Sequence, residues 1–189
     1  LRQHTHIYSP ICFLHPNIVL ANTGKKNCII KCTTKAHAHN EIEFLKILRD
    51  NAVQNVPHLQ NHYDLWHDKY HVLVMDYIPG EDIVQFIQRK GKVNEENTMN
   101  ILRKCKKIVY DLQALNIVHG DIKPENFIIQ PRNDGDWDVS LVDFESANLL
   151  NSPHRIKKIT NRYAAPELTM DRCMHKNTDV WGLGMIAYI

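Results

Sequence analysis

The sequence predicts an α+β chain in two lobes, a small β-rich N-terminal part with one helix followed by a mainly helical part. Three observations predict it. The first third consists of short β-branched runs, the hydrophobic period becomes helical after residue 80, and Pro79-Gly80 separates the two regimes. With 189 residues, 43% of them apolar, the chain can bury a core of ordinary size.

"HIYSPICFL" (6–14), "NIVLAN" (17–22) and "NCIIKCT" (27–33) read as strands, with Thr23-Gly24-Lys25-Lys26 turning between the last two. "HNEIEFLKILRD" (39–50) places Ile42, Leu45 and Leu48 at helical spacing, one helix against a small sheet. "PHLQNHYDLWHD" (57–68) and "YHVLVMDYI" (70–78) supply two further strands, so residues 1–75 form the small lobe and 76–82 a hinge. Residues 83–189 form the helical lobe. "EDIVQFIQRKG" (81–91) is a short helix closed by Gly91, and Asn94 caps a long one in which Met99, Leu102, Cys105, Val109 and Leu112 recur at steps of three and four. Short apolar strands flank "VHGDIKPENFII" (118–129) and "DVSLVDF" (138–144). Residues 145–163 read as a long polar loop, and helix returns at "TDVWGLGMIAYI" (178–189).

Bulk properties exclude several classes. A formal charge of +2 gives no electrostatic footprint for nucleic acid, and no run reaches the length of a membrane span. The five cysteines are an odd set without a C-x-x-C pair, which favours reduced core thiols and, with no signal-peptide pattern at the start, a cytoplasmic or nuclear protein. Among twelve histidines the densest group is His37-x-His39-x-Glu41, whose i, i+2, i+4 spacing scatters around a helix and predicts no metal site.

The chemistry concentrates in "HGDIKPEN" (119–126). An acid, a lysine and an amide lie within six residues, and a second carboxylate, Asp143, follows at the end of an apolar strand. Phosphoryl transfer asks for such a set: one acid to take the proton of an attacking hydroxyl, hard oxygen ligands for magnesium, and a cation for the transferring charge. Taken alone, "DIKPEN" also reads as a turn with an Asx-type cap, and Lys31 as a snorkelling strand lysine.

Several motifs in order decide between these readings. "HGDIKPEN" resembles the catalytic loop of a eukaryotic-type serine/threonine protein kinase, "VDFE" its metal-binding Asp-Phe-Gly, "RYAAPE" the end of its activation segment and "DVWGLG" the buried helix beneath. "CIIK" and "NEIEFLKIL" fit the strand lysine and the following helix, so the resemblance spans essentially the whole chain. It implies the bilobal protein-kinase-like fold, a requirement for ATP and Mg2+, and a protein substrate. By position it makes Asp121 the catalytic base, Lys123 the clamp on the γ-phosphate, and Asn126 and Asp143 the metal ligands. Lys31 would hold the α- and β-phosphates and Glu41 would hold Lys31. Asp76 to Ile78 would face adenine behind the gatekeeper Met75, Asp82 the ribose, and Val19 and Ile128 would sandwich the base. Leu45, His119 and Phe144 would stack between the lobes, Asp179 would anchor the catalytic loop, and Thr160 would bond the base and lysine.

The chain also departs from the family pattern. Counting back from Val19, the three phosphate-loop glycine positions fall on Cys12, Leu14 and Asn17, so side chains stand where amides should approach phosphate. Ile29 replaces the small residue over adenine, which predicts a narrower pocket. Gly120 replaces the arginine that reads a phosphorylated loop, which predicts activity not gated in that way. Glu145 replaces glycine after Asp143-Phe144 and is expected to point to solvent, because another anion near phosphate is costly. Glu41 follows Lys31 by only ten residues, which leaves Glu43 as an alternative partner. The sequence stops inside the helix after Asp179, so Glu167 is expected to lack its usual arginine and apolar surface to be exposed; the chain reads either as a fragment or as one whose incomplete C-lobe a partner protein covers. Arg155, Lys157, Lys158 and Arg162 make the activation segment basic, which suits acidic neighbours in a substrate. Two functions follow: protein phosphorylation on serine and threonine, or a kinase-like fold that binds a partner without catalysis.

Overall fold

The computed structural model of the chain describes residues 8–65, 69–91, 93–150, 162–170 and 172–188. Strands β1 (Ser9–His15), β2 (Ile18–Asn22), β3 (Asn27–Thr34), β4 (Leu59–Leu65) and β5 (Tyr70–Asp76) form one antiparallel sheet in the order β1-β2-β3-β5-β4. Opposite residues in an antiparallel ladder share a face. Ile18 lies opposite Lys31 and Leu20 opposite Ile29, so these four face one way, while Val19, Ala21, Cys28 and Ile30 face the other. Ala21 and Cys28 join Val74 in a small cluster on that second face.

Helix α1 (Lys35–Asp50) covers the first face and buries Ile42, Phe44, Leu45 and Leu48, the stripe that the spacing predicts. It starts earlier than residue 39. The helix leaves β3 directly, with the Lys35 N–H donating to Lys69 O at 3.3 Å, and the early turn buries Ala38 completely. One turn more of helix explains how Glu41 comes within reach of Lys31 after so short a connection.

Asp82 opens α2 (Ile83–Lys90) with a reciprocal cap: its carboxylate accepts from Gln85 N at 2.8 Å, and the Gln85 side chain accepts from Asp82 N at 3.3 Å. Asn94 caps α3 (Glu95–Ala114) by accepting from Asn97 N at 2.8 Å. The buried stripe of α3 is Ile101, Cys105, Ile108, Val109 and Leu112, and Met99, expected within it, is 44% exposed. Two small sheets sit beside these helices. Strands β6 (Glu81–Asp82), β8 (Phe127–Pro131) and β9 (Trp137–Leu141) form one, and β7 (Ile117–Val118) pairs with β10 (Asn148–Leu149) in the other. Pairing of β10 gives structure to part of the segment read as irregular loop. Helices α4 (Pro166–Met170) and α5 (Thr178–Tyr188) complete the described residues.

The core runs without a break from α1 through Leu73 and Met75 to α3, Phe127, Leu141 and Phe144, so the sheet and the helical part share one apolar interior. Among the described residues no helix is long and apolar enough to cross a membrane.

Two glycines in α5 test its packing. A Cβ on Gly182 would lie 2.7 Å from Ile122 Cβ, Cγ2 and O, whereas one on Gly184 meets nothing within 4 Å. Gly182→Ala should lower the unfolding free energy by about 1–3 kcal/mol through overpacking. Gly184→Ala should raise it by about 0.5–1 kcal/mol through helix propensity. Urea midpoints measure both, and equal effects at the two sites would show that α5 does not pack on Ile122 by its Gly182 face.

Candidate active site

Strand β3 aims Lys31 into the interior, where a lone ammonium is not tolerated. Three carboxylates surround it: Glu41 Oε2 at 2.8 Å, Asp143 Oδ1 at 2.7 Å and Glu145 Oε2 at 3.3 Å from Nζ. Burial by itself depresses the Lys31 ammonium, but Glu41 and Asp143 outweigh it and hold the pKa above the ordinary lysine value. Burial pushes the Glu41 carboxyl up to about 7; Lys31 pulls against that rise, and Asp143 and Glu145 add to it. Asp143 is half-buried, and that desolvation favours its neutral form, yet Lys31 prevails and keeps it below the usual carboxylate range. Glu41, not Glu43, is thus the partner of Lys31.

Asp143 itself sits in the left-handed region at φ 69° and ψ 74°, at the entry to a 3-10 turn over Phe144–Ser146. The Val142 N–H just before it donates to Asn126 O at 2.9 Å, which ties this strand end to residues 119–126. Within that segment Asn126 Nδ2 donates to Asp121 O at 2.8 Å and reaches Asp121 Oδ2 at 3.4 Å, and Lys123 Nζ contacts the same Oδ2. Asn126 spends its amide nitrogen on Asp121, so its side-chain oxygen is the atom it can offer to a cation.

Below the loop, Asp179 of α5 accepts from the backbone N–H groups of His119 at 2.7 Å and Gly120 at 2.9 Å. Asp179 is fully buried, and this burial pushes its carboxyl upward against the pull of His119 and the two N–H groups. The Asp121 N–H donates to His119 Nδ1 at 3.3 Å, which leaves Nε2 to donate to Val142 O at 3.2 Å. The His119 ring meets Phe144 edge-on, centroids 5.0 Å apart, and Leu45, His119 and Phe144 are all completely buried.

A cleft of about 390 Å³ opens between the sheet and the helical part. It is lined by Lys31, Glu41, Met75, Asp76, Ile78, Asp82, Ile128, Asn126 and Asp143, nine residues that the sequence nominates for nucleotide or metal. Val19 is not among them. The β2–β3 register turns it to the far face, and Ile18, opposite Lys31, takes its place over the cleft. Alternation in a short strand was the available signal, and an error of one residue reverses the face.

A model of the protein kinase domain matches residues 18–189. The chain belongs to the protein kinase family. Its similar proteins include serine/threonine-protein kinase DCLK1 of Rattus norvegicus, 31% identical over 160 residues, which is 84% of this chain and 36% of that protein. DCLK1 of Mus musculus is likewise 31% identical over 160 residues, and DCLK2 of Mus musculus 30% over 161, each match covering 84% of this chain and 20% of the relative. The chain thus spans about a third or a fifth of the relatives' lengths.

Within this kinase domain the unusual residues acquire definite places. In the β1–β2 hairpin, Asn17 Nδ2 donates to Cys32 O at 3.2 Å and Cys32 N to Asn17 O at 2.9 Å, which draws the turn down toward β3. Counted from Ile18 rather than Val19, the glycine positions fall on Ile11, Phe13 and Pro16, and again none is glycine. Ile29 lines the cleft without closing it. Asp82 caps α2 as well as lining the cleft. The Asp76 N–H is taken by His58 O at 3.0 Å, and its carboxylate is held by Lys26 and Gln60, each at 2.8 Å. Those contacts, with His58, outweigh the burial that would raise the Asp76 carboxyl and hold it below its ordinary value.

Gly120 has φ +77°, and a Cβ there would lie 2.2 Å from Met174 Cε and 3.0 Å from Ser146 O. A side chain there would be strained by the positive φ and would have to displace the Met174 methyl. Glu145 corrects the sequence reading most sharply: its side chain is only 14% exposed and faces Lys31, with its other oxygen 3.3 Å from His37 Nδ1. The cation at Lys31 offsets the repulsion that argued for solvent. Glu167, expected to lack its usual arginine, accepts from Thr178 Oγ1 at 2.8 Å. Thr160, Arg155, Lys157 and Lys158 lie outside the described residues, and the Arg162 guanidinium lies over the Tyr163 ring.

The raised Glu41 pKa has a definite sign in stability. The native state binds its proton more tightly than the unfolded chain, so the Glu41 contribution is present below about pH 4.5 and is lost as pH rises through about 7. Glu41→Gln removes that loss. Urea unfolding at several pH values should show the variant gaining on the wild type between about pH 4.5 and 7. A difference that is flat across that interval contradicts the assignment.

Proposed function

We propose that the chain is an ATP- and magnesium-dependent serine/threonine protein kinase that transfers the γ-phosphate to serine or threonine hydroxyls of protein substrates. One observation carries the reading: a buried lysine paired with carboxylates of α1 and of the segment after β9, at the edge of a cleft that also presents Asn126, close to a lysine-bound Asp121. The names of the relatives support the serine/threonine branch.

The donor set fits the cofactors. The Asn126 side-chain oxygen and the Asp143 carboxylate are hard oxygen ligands of the kind magnesium takes, and the Lys31 ammonium suits phosphate oxygens. When bound, magnesium ATP supplies the phosphoryl group and neutralises its charge. Ile18, Ile29 and Ile128 offer apolar surface for a base. Lys31, held by Glu41, orients phosphate; Asp121 accepts the proton of the attacking hydroxyl, and Lys123, in contact with Asp121, neutralises charge that develops on the transferring group.

A second reading has its own support. None of the hairpin's phosphate-loop positions is glycine, and the Lys31 ammonium is ringed by three carboxylates, both of which suit a kinase-like fold that binds a partner without catalysis. Incubation with labelled ATP, magnesium and a generic protein acceptor separates the two. Catalysis predicts transfer that Asp121→Asn lowers by about 10²–10⁴-fold. Equal, background-level transfer by wild type and variant, with no rise in melting temperature on adding magnesium ATP, would refute the kinase reading. A rise without transfer favours the binding reading.

A further inference from the structure

Helix α1 and the segment after Asp143 are joined by more than the Lys31 pairs. The carboxylate of Glu145 reaches in two directions, 3.3 Å to Lys31 Nζ on β3 and 3.3 Å to His37 Nδ1 on α1. Its backbone carbonyl accepts from Asn40 Nδ2 at 3.0 Å, and the same amide gives its second N–H to Ala147 O at 2.8 Å. Both Asn40 protons are used on the far side of the cleft. His37, Asn40 and Glu41 stand at i, i+3 and i+4, so a single face of α1 carries all three contacts to Lys31 and to residues 145–147.

The arrangement gives Glu145 a task that glycine cannot perform. Asp143 and Glu145 are both anions near one cation, and they share the space only while Lys31 stands between them. With the helix drawn in by Asn40 and His37, Glu41 is delivered to Lys31 inside the protein, 2.8 Å away. The catalytic loop shows the complementary feature: Gly120 is packed against Met174, so no guanidinium stands at the position that reads a phosphorylated loop.

We propose that Asn40 and Glu145 are positioning residues that fasten α1 to residues 145–147 and so assemble the Lys31–Glu41 pair without a charge added elsewhere in the chain. In its catalytic consequence the proposal rests on the kinase reading; the clamp itself does not need it. Asn40→Asp keeps the side-chain shape and replaces the donor by an acceptor facing two carbonyls. Glu145→Gln keeps shape and backbone carbonyl and removes only the charge on Lys31 and His37.

Amide hydrogen exchange, followed in α1 and in α3 as an internal reference, tests the clamp. Asn40→Asp should speed exchange in α1 by about ten-fold or more, Glu145→Gln by a smaller factor, with α3 changed less than about two-fold. In phosphoryl transfer kcat/KM for ATP should fall by about ten-fold in Asn40→Asp, because the Lys31–Glu41 pair that orients phosphate is loosened. Unchanged exchange in α1 overturns the proposal. So does an equal rise in α1 and α3, which makes the residues general supports of the fold. If Asn40→Asp does not fold, the exchange of Glu145→Gln decides. A wild type that transfers no phosphate counts against the proposed function alone, since the exchange measurement contains no ATP.

Discussion

The ammonium of Lys31 is the constraint on which the rest of the site depends. A charge 95% withdrawn from water has to be matched at once, and the fold matches it with carboxylates drawn from opposite directions. Glu41 comes from the helix packed on the sheet, while Asp143 and Glu145 come from the segment that follows the small sheet of the helical part. Parting the two sides therefore breaks the Asp143 and Glu145 contacts to Lys31, while Glu41 stays with it on the sheet side. The shared apolar core brings the parts together; Lys31 sets their register.

A second buried charge performs the same service below. Asp179 accepts two backbone N–H groups from the turn that leads to Asp121. Such an arrangement needs close approach, and small residues supply it. Gly182 lets α5 lie on Ile122, and Gly120 lets the turn bend with positive φ under Met174. Asp121, Lys123 and Asn126 are thus held from beneath by hydrogen bonds and from the side by the Asn126 bonds to Asp121. Under the proposed kinase reading, such support on several sides would keep Asp121 within reach of an incoming hydroxyl.

Much of this was legible in the sequence because it rests on local patterns. Ile42, Leu45 and Leu48 mark one face of α1, Asn94 and Asp82 cap their helices, and ordered motifs place Asp121, Asn126, Asp143 and Asp179 in one family's scheme. What escaped depends on contacts between distant segments. Val19 and Ile18 differ by one step in a strand, and only the ladder with β3 decides which faces the cleft. The expectation that Glu145 points to solvent rests on its repulsion from phosphate, whereas its neighbours in space include the cation at Lys31 and His37. Asn40 resembles any polar helix residue until the two carbonyls it meets, more than a hundred positions away, are known.

Under the kinase reading Lys31 and Glu41 act as one unit on nucleotide. The most direct measurement is a double-mutant cycle of Lys31→Met and Glu41→Gln read as affinity for magnesium ADP, with no catalytic step involved. A coupled pair predicts an interaction energy of about 1–3 kcal/mol between the two substitutions. Losses that add within about 0.3 kcal/mol would contradict it, for the two residues would then contribute independently.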